Sequence, residues 1–185
     1  MTDVATRPAV SADAAAIMAV WAANGDEIPS GGLDILTPCL AHLMGTGRVL
    51  VADHAGEVVG FGAVVERAGV THLADLFVLP DRFGGGIGGR LLTAVFGDAP
   101  LRTTFASSDP RALPLYVRAG MSPLRPNLYL DVDSSSLPPP SARLVCEPAD
   151  ATRMTRLEEL WLGHASVDDH RFWAGWGRRL PGRRS

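Results

Sequence analysis

The sequence contains no lysine and no glutamine, and it has few cysteines and few aromatic residues. Its seventeen basic residues are therefore all arginine, and twenty acidic residues leave a net charge of −3. A chain with this balance lacks the basic surface typical of nucleic-acid-binding proteins. Two cysteines, Cys39 and Cys146, are too few for a disulfide framework or a cysteine-based metal site. The composition thus predicts no metal and no nucleic-acid partner.

The chain also lacks long apolar runs. No stretch approaches the ~20 residues that a membrane helix needs, and the first residues lack the apolar core of a signal peptide. A hydrophobic content of 46% with 20% charged residues is ordinary for a globular protein. We therefore expect a cytoplasmic protein with no membrane partner. Its length of 185 residues favours one full domain with an extension over two full domains.

Glycine, in contrast, is abundant, and it is concentrated where an apolar segment gives way to a helical pattern. A glycine loop at residues 84–89 consists of Gly84, Gly85, Gly86, Ile87, Gly88 and Gly89. Because it has almost no side chains, the backbone N–H groups of such a loop can gather around an anion. The start of the following helix adds unpaired donors and the positive end of its dipole. The loop therefore predicts a phosphate or pyrophosphate ligand.

One class of protein with such a loop binds dinucleotides. Gly84, Gly86 and Gly89 satisfy the spacing G-x-G-x-x-G, and Asp109 follows about twenty residues later, where a ribose-binding acid belongs. However, residues 80–83 separate the loop from its strand, and several predicted strands precede it. A dinucleotide fold opens with the strand and the loop in direct succession. An NAD-dependent oxidoreductase is therefore the weaker alternative.

Hydrophobic periodicity predicts strands and helices in the order β-α-α-β-β-β-α-β-α-β. The predicted strands cover residues 4–10, 48–53, 57–66, 71–78 and 101–106, with a closing strand around 128–132. A helix capped by Ser11, a second helix after residues 25–32, and helices at 86–96 and 111–119 complete the pattern. A Ser/Pro-rich linker at residues 134–141 then separates a first domain, residues 1–133, from an extension, residues 142–185.

Two blocks of the chain resemble the GNAT superfamily of acyl-CoA-dependent N-acyltransferases. The first block runs from Leu76-Phe77-Val78-x-Pro80 through the glycine loop to Leu91-Leu92. The second runs from Asp109 to Met121 and is similar to the signature N-x-x-A-x-x-x-Y-x-x-x-G-F, with Tyr116 at its tyrosine. The resemblance covers about residues 4–132. It implies an α/β GNAT fold, a mixed central sheet with helices on both faces, to which this chain adds a C-terminal helical extension.

The resemblance implies that acetyl-CoA is the co-substrate and that an acetyl group moves to a primary amine of a small molecule or peptide. It assigns acetyl-CoA binding to Leu76, Phe77, Val78, Arg82, Gly84, Gly85, Gly86, Ile87, Gly88, Gly89, Arg90 and Asp109. Two residues depart from the family pattern. Phe83 stands where Arg or Gln is usual, so Arg82 or Arg90 would take over its role. Asp109 replaces an Asn and needs a cationic partner such as Arg111.

Three residues are candidates for catalysis. By resemblance, the hydroxyl of Tyr116 protonates the departing CoA thiolate. Asp75 lies near the position where many members place an acid, and His72 titrates near neutrality, so either is a candidate general base. Strand alternation predicts opposite faces for these two side chains. The structural alternatives are a hydrogen-bonded carboxylate, an edge histidine and a packing aromatic, and a non-catalytic CoA-binding or regulatory module is the alternative for the whole chain.

The extension repeats a feature of the first domain. Residues 149–151 repeat the Ala-Asp-Ala of residues 12–14, and an apolar helix again ends in a tryptophan, Trp161 in place of Trp21. The repeat indicates either the opening of a second GNAT copy, as in tandem members of the family, or a helical arm. An apolar stripe must be covered, so we expect docking on the first domain or across a homodimer through Met154, Leu157, Leu160 and Trp161.

Overall fold

The computed structural model describes residues 4–25, 33–107, 109–126, 128 and 150–176. These residues form two compact units, one ending at Ser122 and the other beginning at Pro123. The predicted linker at residues 134–141 lies outside the described residues, and so does the predicted closing strand apart from Leu128. Within the described residues, no helix is both long enough and apolar enough to cross a membrane.

The first unit has the predicted succession of elements as far as its fourth helix. Its strands are β1 (Val4–Pro8), β2 (Gly47–His54), β3 (Glu57–Arg67), β4 (Val70–Val78) and β5 (Leu101–Thr104). Its α-helices are α1 (Ala14–Ala22), α2 (Leu33–Thr46), α3 (Ile87–Phe96) and α4 (Ala112–Arg118). Single 3-10 turns at Ser11–Asp13 and Pro80–Arg82 precede α1 and the glycine loop.

The five strands form one mixed sheet in the order β1-β2-β3-β4-β5. The first four are antiparallel neighbours, and β5 lies parallel to β4. The β2–β3 turn has Ala55 and Gly56 at φ 54° and 87°, the left-handed pair that a two-residue hairpin turn favours. The mixed sheet of the predicted fold class is confirmed.

Helices cover both faces of this sheet. On one face, α1 and α2 pack Ile17, Val20 and Leu40 onto a row of sheet side chains that includes Val51 and Phe61. On the other face, α3 packs its apolar stripe, Leu91, Leu92, Val95 and Phe96, onto the sheet. A Cβ atom at Gly60 would lie 2.9 Å from the carbonyl oxygen of Phe77 and 3.2 Å from Leu91, so this glycine permits the close approach of α3.

The N-terminus of α1 is held differently from the prediction. Ser11 does not cap the helix, because it lies within the 3-10 turn and Val10 precedes that turn. Instead the Asp13 carboxylate accepts a hydrogen bond from the Val10 N–H at 2.8 Å and a bidentate pair from Arg7 at 2.8 and 2.9 Å. Arg7 also donates to Asp53 at 3.0 Å, so one guanidinium joins β1, β2 and the start of α1. The Arg7 hydrogen bonds lower the pKa of Asp13, and hydrogen bonds from the Gly56 N–H and then from Arg7 lower the pKa of Asp53.

The second unit contains α5 (Ala151–Leu162) and α6 (Val167–Trp176), which pack against each other. Asp150 caps α5 by accepting a hydrogen bond from the Thr152 N–H at 3.0 Å, and Gly163 ends it in the left-handed conformation. The His170 Nε2 and Glu158 Oε2 atoms lie 2.7 Å apart between the two helices. The predicted helical character of the extension is confirmed, while its docking stays a prediction.

Candidate active site

The candidate site lies where β4 and β5 separate. The parallel pairing runs from Val70 opposite Leu101 to Leu73 opposite Thr104, and β5 ends there while β4 continues to Val78. In the part of the chain that the structure describes, no strand pairs with β4 on this side after Leu73. The last five residues of β4 therefore form an open strand edge that leads from the point of separation toward the glycine loop.

Backbone groups of this edge are available for a ligand. The Leu79 N–H donates to the Val59 carbonyl at 2.9 Å, so by alternation the Val78 carbonyl points away from β3. The same alternation directs the N–H and C=O groups of Leu76 and the N–H of Val78 toward the open side, and those of Phe77 toward β3. The Phe77 ring instead stacks on Phe61 in the core, with ring centroids 5.6 Å apart.

Asn24 fixes the end of the open edge. Its side-chain amide, just after α1, donates to the Val20 carbonyl at 2.8 Å and to the Val78 carbonyl at 3.0 Å. The hydrogen bonds tie the end of α1 to the residue from which the chain turns into the glycine loop. Sequence reasoning missed Asn24, although a polar residue between an apolar helix and a glycine is a usable signal for a helix-end contact.

A β-bulge reverses the predicted orientation of two candidate bases. Ala63 lies opposite Asp75 but Val64 lies opposite Leu73, so Ala74 is an extra residue in β4. His72 lies opposite Val65, two residues from Ala63 on β3, and His72 and Asp75 therefore share one face. The prediction of opposite faces is wrong because it assumed unbroken alternation along the strand.

His72 and Asp75 lie on the face covered by α1 and α2. The His72 Nδ1 lies 3.0 Å from the Thr103 hydroxyl, the ring edge meets Phe105, and burial lowers the pKa of His72. Asp75 is half-buried and close enough to Cys39 for its charge to act there. Burial, supplemented by that charge, raises the pKa of the Cys39 thiol to about 11, so this cysteine stays protonated at neutral pH.

Tyr116 reaches the point of separation from the opposite face. It projects from α4 and packs against the cluster that contains Leu73, and Thr104, the last paired residue of β5, lies close enough to act on its pKa. The Thr104 hydroxyl donates to the Leu73 carbonyl at 3.2 Å. Burial is the main cause that raises the pKa of Tyr116, so the phenol is protonated at neutral pH. Sequence reasoning gave no role to Thr104, which lies beside this tyrosine at the last pairing of β4 and β5.

The glycine loop has the backbone that an anion site requires. Gly84 and Gly86 adopt φ 80° and 74°, and a Cβ atom at either would meet nothing within 4 Å. These glycines are therefore needed for their left-handed backbone rather than for lack of space within the protein. Gly86 immediately precedes α3, and the first N–H groups of a helix have no acceptor within the helix itself. The residues present thus fit a phosphate-bearing ligand.

Three arginines lie near the loop in the described structure, and two of them, Arg82 and Arg90, are the predicted cations. The Arg82 Nε lies 3.4 Å from Asp81 Oδ2, and the Arg82 Nη2 lies 3.6 Å from Glu57 Oε2. The buried Nε makes no hydrogen bond within the described structure. Arg90 is exposed on α3. The third cation is Arg111, whose guanidinium carbon lies 3.8 Å from the centre of the Phe83 ring.

Asp109 and Arg111 form the pair that the sequence suggested. Arg111 donates from Nε to Asp109 Oδ1 at 2.9 Å and from Nη2 to Asp109 Oδ2 at 2.5 Å. The Arg111 N–H also donates to Asp109 Oδ1 at 2.8 Å, which an asparagine in this position could accept equally well. The hydrogen bonds from Arg111 lower the pKa of Asp109.

Comparisons with known proteins agree with this geometry. Residues 45–120 match a family model described as an acetyltransferase (GNAT) domain. No curated protein matches the chain in sequence. The matched segment runs from the end of α2 to the glycine that follows α4, so it includes the bulged strand, the glycine loop and the tyrosine.

Solved structures share the fold at low sequence identity. An acetyltransferase from Trypanosoma brucei superposes with a TM-score of 0.55 at 18% identity, over 70% of this chain and all of that chain. A transcriptional regulator from Bacillus halodurans superposes at 0.58 and 16% identity, over 70% and 100%. A diaminobutyrate acetyltransferase from Paenibacillus lautus, solved with L-2,4-diaminobutyric acid and coenzyme A, superposes at 0.50 and 18% identity, over 64% and 75%. These likenesses establish the fold.

Proposed function

Because this chain contains a domain of the GNAT superfamily, we propose that it transfers an acetyl group from acetyl-CoA to a primary amine of a small molecule or peptide. One observation carries the proposal. The open edge of β4 connects a half-buried tyrosine at one end to a glycine loop with left-handed backbone at the other. Acetyl-CoA has the matching order of groups, a reactive thioester, a chain of amides and a pyrophosphate.

The proposed binding mode uses backbone groups. The amides of the pantetheine arm pair with Leu76 and Val78 as an added strand would, and the pyrophosphate binds at the glycine loop. Because the Val78 carbonyl already accepts from Asn24, the arm can use only the N–H of that residue. The thioester then lies near Leu73 and Thr104, where the strands separate.

The reaction requires the amine to lose a proton and the thiolate to gain one. The amine nitrogen forms a bond to the acetyl carbon, the carbon–sulfur bond breaks, and the proton from nitrogen passes to a base. Asp75 and His72 are the candidate bases, and both lie on the same face of β4. Burial lowers the pKa of His72, which favours its neutral, proton-accepting form at neutral pH.

Tyr116 is the proposed proton donor to the leaving thiolate. Its hydroxyl lies on the other face, at the last pairing of β4 and β5, and its raised pKa keeps the proton in place before the reaction. A thiolate whose conjugate acid has a pKa of about 8.5 is a fair leaving group, so this donor accelerates the reaction without being indispensable. Base and acid thus approach the thioester from opposite sides of one strand.

Binding of acetyl-CoA is tested by thermal unfolding. A site-specific ligand at a hundredfold excess over its Kd raises the free energy of unfolding by about 2.7 kcal/mol. Gly86→Val should abolish this increase because valine cannot hold the left-handed loop backbone. Gly69→Val is the matched control, since Gly69 has φ 78° with open space around it, in the turn before β4. Both variants lose intrinsic stability, but only the first should lose the response to acetyl-CoA.

Turnover then separates the proposal from its alternatives. A panel of primary amines with acetyl-CoA should yield free CoA with at least one acceptor. Binding of CoA without turnover on any amine would favour the non-catalytic module. Stabilisation by NAD in place of acetyl-CoA would favour the oxidoreductase and contradict the proposal.

A further inference from the structure

The glycine loop, residues 84–89, contains no charged residue. The residue directly before it is Phe83. A guanidinium nevertheless lies against it. Arg111, at the start of α4, holds its guanidinium carbon 3.8 Å from the centre of the Phe83 ring. This distance is typical of a cation–π contact, in which the ring face attracts the positive charge. An aromatic residue at 83 can therefore hold at the loop a charge that comes from elsewhere in the chain.

The Arg111 side chain is fixed in this position by a second group. Asp109 accepts hydrogen bonds from Nε and from Nη2, which leaves the Nη1 end of the guanidinium for another acceptor. Half of the Arg111 side chain is exposed, so that end is accessible to solvent. The Phe83 ring and the Asp109 carboxylate together restrict the rotamer of Arg111. A guanidinium that is already fixed loses less conformational entropy when it binds an anion.

Helix α4 runs close to the loop at a second point. Cβ atoms at Gly88 and Gly89 would each lie within 3.8 Å of the Leu115 side chain. Arg111 and Leu115 are one helical turn apart, so α4 follows the loop and the first turn of α3 over this length. The contact at Phe83 is therefore part of a continuous packing and not an isolated approach of a long side chain.

Arg82, a second arginine beside the loop, is already paired with carboxylates. Arg82 lies near both Asp81 and Glu57, on the strand side of the loop. Arg111 also contacts one carboxylate, that of Asp109. This carboxylate accepts a hydrogen bond from the Arg111 backbone N–H and holds the guanidinium over Phe83. The residues that depart from the family pattern, Phe83 and Asp109, are thus joined by one arginine.

We propose that Arg111 binds a phosphate group of CoA at the glycine loop, with Phe83 and Asp109 as the groups that position its guanidinium. This inference rests on the proposed function, since it presupposes that CoA occupies the loop. The ligand chemistry is a phosphate oxygen, which the pyrophosphate and the 3′-phosphate of CoA both offer. Arg111 is a binding residue here, and it takes no part in proton transfer.

The test compares three ligands and four proteins by calorimetric titration. CoA carries both kinds of phosphate, dephospho-CoA lacks the 3′-phosphate, and pantetheine lacks all phosphates. The proteins are the wild type, Arg111→Gln, the control Arg118→Gln and the double variant Phe83→Arg with Arg111→Gln. Arg118 is exposed in the last turn of the same helix, so its substitution makes the same change of charge away from the loop.

Arg111→Gln should weaken CoA binding about 10- to 100-fold, as expected for the loss of a charge-assisted hydrogen bond. Arg118→Gln should stay within about twofold of the wild type. Pantetheine should bind all four proteins alike, and the double variant should regain most of the lost affinity because a cation returns to the loop. A loss seen equally with dephospho-CoA assigns Arg111 to the pyrophosphate, and a loss confined to CoA assigns it to the 3′-phosphate.

Three results would overturn the inference. Equal CoA affinity for the two single variants would exclude a phosphate contact by Arg111. Equal weakening of CoA and pantetheine in Arg111→Gln would reduce its role to folding of the loop. Failure of Phe83→Arg to restore affinity, with the fold intact by circular dichroism, would remove Phe83 from the site. Absence of CoA binding to the wild type would instead reject the proposed function itself.

Discussion

Helices α1 and α5 begin with similar sequences and have different surroundings. On α1, Ile17 and Val20 are each 1% exposed, because the helix packs on the sheet. On α5, Met154 and Leu157 are 41% and 43% exposed and Trp161 is 82% exposed. None of the described side chains of α5 is buried. Large apolar side chains on a helix are thus core in one unit and surface in the other.

An apolar stripe on a helix therefore shows that the helix needs a packing partner, but it does not specify which surface that partner provides. In the first unit an apolar sheet face meets the stripe and completes it. Among the described residues of the second unit, α6 packs on α5 and leaves Met154, Leu157 and Trp161 exposed. An exposed apolar patch of this kind is the usual mark of an interaction surface. The following predictions test how far the two units differ.

The largest difference in the free energy of unfolding is expected between alanine substitutions of two helix leucines, one buried and one exposed. Leu91 on α3 is fully buried against the sheet, so Leu91→Ala should lower the free energy of unfolding by about 3 kcal/mol. Leu157→Ala on α5 should change it by less than about 0.5 kcal/mol, as for an exposed side chain. Urea unfolding followed by circular dichroism measures both. Equal losses would mean that the α5 stripe is as well covered as the core.

Catalysis should depend on the first unit and not on the second. Tyr116→Phe keeps the ring and removes the proton, so turnover should fall about 10²-fold with little change in acetyl-CoA affinity. Trp161→Phe is the control in the second unit and should leave turnover unchanged. The measurement is release of free CoA at saturating acceptor. Equal turnover in Tyr116→Phe and the wild type would return this tyrosine to a packing role.

Two aspartates at the starts of helices should also differ in their contribution to the free energy of unfolding, the one in the first unit contributing more. Asp13→Asn weakens the pair with Arg7 and should cost about 1.5 kcal/mol, whereas Asp150→Asn keeps an acceptor for Thr152 and should cost only a few tenths of a kcal/mol. The native pKa of Asp13 lies below its ordinary value, so its stabilisation is present at neutral pH and disappears as the pH falls through that lowered pKa. Unfolding of the wild type and Asp13→Asn between pH 7 and pH 2 tests this. Parallel pH profiles for the two proteins would exclude the linkage.

The smallest effect on the site is expected from removing the extension. All candidate site residues precede Ser122, so deletion of residues 136–185 should leave the Kd for acetyl-CoA within about twofold. If the α5 stripe contacts a second copy, the same deletion should convert a homodimer into a monomer in light scattering. An unchanged oligomeric state would exclude the stripe as the dimer contact.

Much of the fold could be predicted from the sequence, because its signals are local. The Val- and Ala-rich run of β3, helical periodicity in α3 and the Ala55-Gly56 turn each identified an element within a residue or two of its observed ends. Boundaries shifted where a terminus depends on tertiary contacts. Ser11 has the composition of a cap, but the hydrogen bonds at this end of the helix are made by the Asp13 carboxylate, which accepts from the preceding Val10 N–H and from Arg7 of β1.

The site was less predictable, because its geometry depends on registers between strands. Nothing in residues 70–78 marks Ala74 as the extra residue, yet that bulge brings His72 and Asp75 to one face. The contact of Phe83 with Arg111 joins positions 28 apart in sequence and depends on where α4 packs. The motif located the glycine loop and Tyr116, whereas the bulge and the contact of Phe83 with Arg111 could be found only in the structure.

Hydrogen exchange of backbone amides with and without acetyl-CoA shows whether the open edge of β4 and the glycine loop bind the cofactor. Exchange should be slower for Leu76, for Val78 and for residues 84–89, where open amides would bind the arm and the phosphates. The β1 edge of the same sheet should exchange unchanged and serves as the internal control. Protection confined to α5 and α6, or none at β4 and the glycine loop at saturating acetyl-CoA, would contradict the account.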